Sequence, residues 1–299
     1  MAISSVRVKI NGVWTILLYN EETEMYEGTV TAPAITSYNI PGGYYPITIE
    51  AANDAGTITT KDDTDAEVGE ILRLTVVEKI KPVITLETPA DGAYIQNSSA
   101  AVIFKIEDEA AGSGVKESSI LFLLDGSEVP ISKTKIENGY RCTYSPESPL
   151  PDGPHTINIQ AQDNDGNIAD PVQSTYTVDT IPPTLDVSSP NYVITNNPEC
   201  VVRGITNDET SSPVSVQVFL NDEDTGSISL DASGNFEKEI TLSEGDNQIT
   251  IISTDASGRS TEIEKNIKLD TTIPEITNIT FEPNPVDTSQ LVRITLQVR

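Results

Sequence analysis

The segment DNDGNIADPVQSTYTVDTIPP, residues 163–183, contains the pattern that decides the fold. An acidic turn precedes a short alternating strand, and an acidic residue and a proline hinge follow that strand. Degenerate copies of this pattern occur at residues 47–82 and at residues 249–274. Copies spaced by about 90 to 100 residues indicate an internal repeat, and a unit of that length is typical of a tandem β-sandwich.

The composition limits the function classes that remain. The chain has 299 residues, with 18 Lys and Arg against 46 Asp and Glu, so its net charge is −28. A nucleic-acid partner is not expected, because binding to phosphates needs a basic face. No membrane partner is expected either, because the apolar runs fall far short of about 18 residues. The 19 Pro and 18 Gly, without amphipathic helical stretches, predict an all-β chain.

The proline hinges divide the chain into four segments. Residues 81–180 and 181–272 each carry a full set of alternating strands, whereas residues 273–299 carry only two. Residues 1–80 open with a hairpin whose Asn11-Gly12 pair favours a type I′ turn. Further strands are expected in this segment at residues 26–31, 44–51 and 71–77. Cys142 and Cys200 fall in different segments and are expected to be free thiols, which favours a reducing compartment.

Several of these motifs resemble a known family, the bacterial immunoglobulin-like (Ig-like) repeats of surface adhesins. The motifs are the acidic turn 163–167, the hinge 178–183, and the Gly-Ser-Gly-Val loop 112–115 before the hairpin 124–126. The whole arrangement, from Asn-Gly-Val-Trp at 11–14 to Pro-Asn-Pro-Val-Asp at 283–287, is also similar to Ig-like proteins of bacteriophage tail modules. The resemblance implies tandem Ig-like β-sandwiches in an elongated rod, with incomplete units at 1–80 and 273–299.

The resemblance leaves two functional settings open. One is a non-enzymatic phage virion protein, in a tail, fibre or decoration role, that is made in the host cytoplasm and binds host-surface glycans weakly. The other is a bacterial cell-surface adhesin module. Residues 1–10 enter a strand at once and show no secretory signal, which favours the virion setting. No catalytic residue is predicted: His155 is the only histidine, and no nucleophile elbow or phosphate-binding loop occurs.

The two ends of the chain do not match the complete units. Residues 6–19 align with residues 214–230, so the first segment lacks the two strands that precede this hairpin in the third segment. Residues 273–299 consist of just two such strands, which are unstable alone. Three outcomes are open. Residues 273–299 of one copy could complete residues 1–80 of another by strand complementation, the first segment could be a small independent sandwich, or another virion protein could fill the gap.

No cofactor is required by this sequence, but calcium is the candidate ligand. Calcium takes about six to eight oxygen ligands from carboxylates and carbonyls. Asp163, Asp165 and Asp179 are predicted to converge at one joint, and Asp255 and Asp270 at the next, because related adhesin repeats stiffen their joints in this way. Alternatively, these carboxylates stabilise Asx turns without a metal.

Aromatic residues are concentrated near the N-terminus. Trp14, Tyr38, Tyr44 and Tyr45 are predicted to form a contact surface for a partner protein or a glycan, because such side chains combine a large area with a polar tip. Core packing is the alternative explanation for some of them.

Overall fold

The computed structural model describes residues 2–299. These residues form strands, turns and two single-turn 3-10 helices, at Ser37–Asn39 and Glu117–Ser119, in a tandem Ig-like β-sandwich fold of the predicted all-β class. The chain divides into two compact units, one ending at Val178 and one beginning at Asp179. Neither of the described helices is long and apolar enough to cross a membrane.

The first unit begins with a six-stranded sheet, called the first sheet. Its strands are β1 Ile3–Ile10, β2 Val13–Asn20, β3 Met25–Glu27, β4 Tyr45–Asn53, β5 Ile58–Lys61 and β6 Arg73–Leu74. The order is β3-β2-β1-β4-β5, and β6 pairs with β4. The Asn11-Gly12 turn has φ of 49° and 79°, as a type I′ turn requires, and it sets Ile10 opposite Val13.

The first sheet has little hydrophobic core. Only Val6, Tyr45 and Leu72 are buried hydrophobic residues among residues 2–80, and no second sheet is formed by these residues. The strands predicted at 26–31 and 71–77 are shorter than expected, because β3 and β6 have only three and two residues. The sequence pattern overestimated the lengths of both strands, since the chain is irregular beyond β3 and beyond β6.

The same unit also contains a complete sandwich, called the second sandwich because it follows the first sheet along the chain. Its strands are β7 Val83–Thr88, β8 Ala93–Ile95, β9 Val102–Glu107, β10 Leu121–Leu124, β11 Ser127–Glu128, β12 Ser132–Ile136, β13 Gly139–Tyr144, β14 Gly153–Gln160 and β15 Val172–Val178. They form the sheets β11-β10-β14-β15-β8 and β12-β13-β9-β7. The alternating residues of both sheets form one core, in which the large side chains of Phe104, Phe122, Ile159 and Tyr176 are at most 1% exposed.

The third sandwich, in the second unit, repeats this plan. Its strands are β16 Thr184–Ser189, β17 Ile194–Thr195, β18 Glu199–Asn207, β19 Ser215–Leu220, β20 Glu223–Asp224, β21 Asn235–Thr241, β22 Gly245–Thr254 and β23 Ser260–Leu269. The sheets are β17-β23-β22-β19-β20 and β16-β18-β21. Both sandwiches add a short parallel strand to the edge of the larger sheet, β8 on β15 and β17 on β23. The larger sheets of the two sandwiches therefore have the same strand order, whereas the smaller sheet has four strands in the second sandwich and three in the third.

A two-stranded hairpin, called the terminal hairpin, completes the strand inventory. It consists of β24 Ile276–Glu282 and β25 Arg293–Val298, which pair only with each other. The two strands predicted in residues 273–299 are thus present.

Candidate metal centres

Each sandwich carries three clustered carboxylates at the same places in its fold. The first precedes the initial strand, the second follows β9 or its equivalent β18, and the third follows β14 or its equivalent β22. One oxygen of each carboxylate lies within 4.8 Å of the others in the cluster. The first acidic cluster is Glu78, Asp108 and Asp163, and the second acidic cluster is Asp179, Asp208 and Asp255.

In the first acidic cluster, the turn after β14 positions Asp163. Its Oδ1 accepts hydrogen bonds from the backbone N–H groups of Gly166 (2.6 Å) and Asn167 (2.7 Å), and the side chain is fully buried. Burial raises the pKa of Asp163, but hydrogen bonds from Glu78 and Asn167 outweigh burial, so the pKa lies below its usual value. This carboxylate is therefore held in place and ready to be ionised.

The other two acids of this cluster have raised pKa values. Asp108 is 6% exposed; its Oδ2 accepts from the Gly114 N–H at 2.7 Å, but its buried Oδ1 has no hydrogen-bond partner. Burial, followed by the neighbouring Glu109, raises the pKa of Asp108 to about 6. Burial and the hydrogen bond with Asp163 raise the pKa of Glu78 to about 7. Near neutral pH these groups therefore need either protons or a cation.

The second acidic cluster has the same construction. Asp208 Oδ1 accepts from the Ser211 N–H at 2.6 Å, and the Ser211 hydroxyl donates to Asp179 Oδ2. Asp255 Oδ1 accepts from the Arg259 N–H at 2.9 Å, whereas its Oδ2 is buried and has no partner. Asp179 is fully buried, and the other two acids are at most 8% exposed. An unpartnered buried oxygen thus occurs in both clusters.

The same turn follows β4, β14 and β22, but its first residue is Asn after β4 and Asp after the other two strands. The Oδ1 atoms of Asn53, Asp163 and Asp255 each accept the N–H four residues later, at 2.9, 2.7 and 2.9 Å. In each case the backbone N–H of the same residue donates to the carbonyl of that later residue. The turn therefore needs only an oxygen acceptor, and it does not explain why the two sandwiches have Asp where the first sheet has Asn.

A hard divalent cation fits both clusters. Three carboxylates this close repel one another strongly when they are buried, and removing their charge or adding a cation relieves that repulsion. Calcium accepts carboxylate, carbonyl and water oxygens without strict geometry, which suits irregular loops. The unpartnered oxygens of Asp108 and Asp255 are the atoms that such an ion would satisfy.

The structure groups the predicted ligands differently from the sequence prediction. Asp163 lies with Glu78 and Asp108, whereas Asp179 lies with Asp208 and Asp255, so Asp163 and Asp179 do not share a cluster.

The other two predicted ligands are placed outside the clusters. Asp165 Oδ2 instead accepts from the Thr36 hydroxyl (2.5 Å) and the Glu78 N–H (3.0 Å), so it joins the first sheet to the loops of the second sandwich. Asp270 Oδ1 accepts from the Thr272 N–H at 3.2 Å and is not part of a described cluster.

Sequence reasoning missed Glu78, Asp108 and Asp208. A signal was available for the last two, because an Asp-Glu pair directly follows the equivalent strands, at 108–109 and 208–209. Glu78 occupies the hinge position of Asp179 in the repeat. The loops converge only in three dimensions, so spacing along the chain could not reveal the clusters.

The predicted aromatic surface is only partly exposed. Tyr38 is 56% exposed, whereas Tyr45 is 4% exposed and its hydroxyl donates to the Ile35 carbonyl at 2.8 Å. Tyr44 is half-buried and its hydroxyl donates to Asp63 at 3.0 Å. Trp14 is half-buried on the sheet, with the Arg7 guanidinium 4.3 Å from its ring centre. Tyr45 is therefore a core residue and is removed from the predicted contact surface.

The single histidine and the two cysteines are buried inside the two sandwiches. His155 is 4% exposed, and its ring nitrogens lie 2.7 Å from Asp125 Oδ2 and 2.9 Å from the Pro151 carbonyl. Cys142 and Cys200 are free and buried, and burial raises the pKa of Cys142 to about 11. A thiol with a raised pKa is a weak nucleophile.

Two family models match the sandwiches. Residues 82–159 match the model described as bacterial Ig domain, and residues 183–271 match the model of glucodextranase domain B. Each match covers less than half of the chain. A search of curated proteins found no match. The chain thus contains tandem Ig-like domains, an architecture that is typically non-catalytic.

Solved structures of tandem domains are also similar to the chain. The fibronectin(III)-like modules of Clostridium thermocellum CbhA share 18% identity, with 62% of this chain and 94% of theirs covered and a TM-score of 0.39. Extracellular domains 3–5 of Drosophila OTK share 10%, covering 89% and 85%, with a TM-score of 0.37. A tetra-tandem repeat from the extending region of a large adhesion protein shares 15%, covering 98% and 79%, with a TM-score of 0.32.

Proposed function

We propose that this chain is a non-enzymatic structural protein that displays Ig-like domains, with a calcium ion bound at the acidic cluster of each sandwich. The observation that carries this proposal is the recurrence of the cluster. Both sandwiches place three carboxylates at equivalent positions, and both leave one buried carboxylate oxygen without a partner. Carboxylates whose only role was to form Asx turns would have no reason to lie this close together in both sandwiches.

Calcium gives this architecture a mechanical role. In each cluster one ligand precedes the first strand of a sandwich and two ligands lie in loops of the same sandwich. An ion bound to all three would fix the entering chain segment to the domain. Such a module would serve as a stiff spacer that contacts a partner, and not as a catalyst.

The setting that we propose first is a phage virion, in a tail, fibre or decoration role. The partners there would be other virion proteins, and assembly would occur in the host cytoplasm. Tyr38, the most exposed of the predicted aromatic residues, would contribute to a weak contact with a host-surface glycan. A bacterial cell-surface adhesin is the second candidate, and the match of residues 82–159 to the bacterial Ig domain model favours it.

Thermal unfolding with calcium tests the metal proposal. The changes Asp163→Asn and Asp255→Asn remove one charge from each cluster, and Asn53 shows that asparagine supports the same turn. We expect 2 mM calcium to raise the Tm of the wild-type chain by about 3 to 10 °C relative to EDTA, for dissociation constants of about 0.1 to 1 mM. Calorimetric titration should give two ions per wild-type chain and one per single variant.

The matched control is Asp270→Asn, which removes a carboxylate outside the clusters. It should leave both the Tm increase and the stoichiometry unchanged. An unchanged Tm for the wild-type chain at millimolar calcium, or an equal loss in all three variants, would reject calcium binding at the clusters.

Labelling distinguishes the two settings. Gold-conjugated antibodies against residues 1–80 should decorate a fixed position on purified phage particles in electron micrographs. Labelling confined to the surface of intact bacteria would instead support the adhesin candidate.

A further inference from the structure

The terminal hairpin exposes one apolar face. Its register sets Ile279 opposite Leu296 and Phe281 opposite Ile294, while Thr280 and Thr295 pair on the other face. A two-stranded hairpin is marginally stable in water, and a contiguous apolar patch marks a surface that binds something. The apolar face consists of Ile276, Ile279, Phe281, Ile294, Leu296 and Val298, which are 49% to 64% exposed.

The two complete sandwiches show what covers such a hairpin. The antiparallel pairs β7–β9 and β16–β18 occupy the start of each sandwich, and their apolar sides pack on the larger sheet. In the second sandwich, Phe104 of β9 stacks on Phe122 of β10 with ring centres 5.5 Å apart. The strand β24 ends directly before Pro283, as β7 ends before Pro89 and β16 before Pro190. The terminal hairpin therefore corresponds to the first two long strands of a sandwich.

The first sheet corresponds to the other half. Its order β2-β1-β4-β5 repeats the order β20-β19-β22-β23 of the third sandwich. Val8 is paired with Ile49 as Val218 is paired with Ile251, within the shared sequence pattern Ile-Thr-Ile. Val218 and Ile251 are fully buried, whereas Val8 and Ile49 are only half-buried. The inner face of the first sheet, defined by Val6, Val8, Ile47 and Ile49, thus lacks the strand pair that covers its equivalent.

We propose that the terminal hairpin of one copy packs its apolar face on the inner face of the first sheet of a second copy. The contact forms an Ig-like sandwich from two chains. It joins different surfaces of the two copies, so the pair still has one free hairpin and one free first sheet with which to bind further copies. This inference does not depend on calcium binding or on the virion setting.

Light scattering after size-exclusion chromatography tests self-association of the full chain. We expect the mean mass to rise with protein concentration beyond that of one chain, because the contact does not limit assembly to dimers. A constant single-chain mass at all concentrations up to about 1 mM, where even weak contacts are populated, would overturn the proposal.

Two matched pairs of variants locate the contact. Phe281→Asp places a charge on the apolar face of the hairpin, and Thr280→Asp places the same charge on its other face. Phe281→Asp should raise the dissociation constant about 30-fold or more, as for the loss of an interface hot spot, and Thr280→Asp should have little effect. On the first sheet, Val8→Asp should act like Phe281→Asp, and Ile16→Asp is its control because Ile16 is 67% exposed on the opposite face.

Mixing the two defective variants gives the decisive result. The Phe281→Asp copy keeps an intact sheet face and the Val8→Asp copy keeps an intact hairpin, so an equimolar mixture should form a dimer of mixed composition and stop there. Self-association of the Val8→Asp copy alone would indicate a hairpin-to-hairpin contact and overturn the proposal. A monomeric mixture would also overturn it, provided that circular dichroism shows both variants folded. If Val8→Asp does not fold, the comparison of Phe281→Asp with Thr280→Asp decides.

Discussion

At the scale of single residues, the first residue of one shared turn distinguishes the first sheet from the two sandwiches. It is an amide side chain in the first sheet and a carboxylate in both sandwiches. Asn53, Asp163 and Asp255 accept the same backbone hydrogen bond, so the turn tolerates an amide or a carboxylate. Only the carboxylates have two acidic neighbours. Asp163 and Asp255 therefore contribute a carboxylate to a cluster as well as an acceptor to the turn. The sequence repeat predicts the turn, but it does not predict which neighbours the charge meets.

The pKa values of the first acidic cluster predict a pH-dependent response to calcium. In the metal-free protein the pKa values of Asp108 and Glu78 are raised to about 6 and about 7, so the folded state binds protons more tightly than the unfolded state. Their contribution to stability is present at low pH and is lost as the pH rises through 6 to 7. Calcium competes with these protons, so the Tm increase on adding calcium should be small at pH 5.5 and larger at pH 8.

Differential scanning calorimetry with EDTA and with calcium at both pH values measures this effect. The Asp163→Asn variant should lose the part of the effect that belongs to the first acidic cluster. An equal calcium response at the two pH values would contradict the expectation.

Tyr38 and Tyr45 should behave differently when truncated. Tyr45→Ala removes a buried ring and should cost the first sheet about 3 kcal/mol, whereas Tyr38→Ala changes an exposed side chain and should cost less than about 0.5 kcal/mol. Urea unfolding followed by far-UV circular dichroism measures the difference. An equal loss in the free energy of unfolding for both changes would contradict the exposed placement of Tyr38.

At the scale of elements, local signals predict turns better than strand lengths. The Asn11-Gly12 hairpin is confirmed because a type I′ turn is fixed by two adjacent residues. The strands expected at 26–31 and 71–77 reduce to β3 and β6, because strand formation depends on an available pairing partner as well as on alternation. β3 pairs with β2 through only three residue pairs, and β6 with β4 through two.

The difference in burial between sheets predicts a difference in hydrogen exchange. β1 lies in a sheet with few buried side chains, whereas β9 carries Val102, Phe104 and Ile106 at 0% or 1% exposure. In dilute solution, where copies are separate, amides of β1 should exchange at least about tenfold faster than those of β9, because opening of the first sheet exposes less apolar surface. Exchange followed by mass spectrometry resolves the two strands. Equal protection in dilute solution would indicate that the first sheet is as stable as a complete sandwich.

At the scale of the whole molecule, the repeat explains most of what the sequence could predict. The fold class follows from strands and turns that recur at near-regular spacing, and the terminal mismatch follows from aligning residues 6–19 with 214–230. Aligning the repeats could not predict the acidic clusters. Asp108 and Asp163 are separated by 55 positions, and their proximity depends on how two β-sheets stack. The sequence pattern identifies each loop but not which loops meet.

The position of Asp179, five residues before the start of β16, has a consequence under tension. A force transmitted along the chain enters the third sandwich at this residue, before it loads the β16–β18 hydrogen bonds. With an ion bound, Asp179 would share that load with Asp208 and Asp255, and the strand would be shielded from peeling. Withdrawing calcium would then soften the protein at its points of force entry while leaving its hydrophobic interior unchanged.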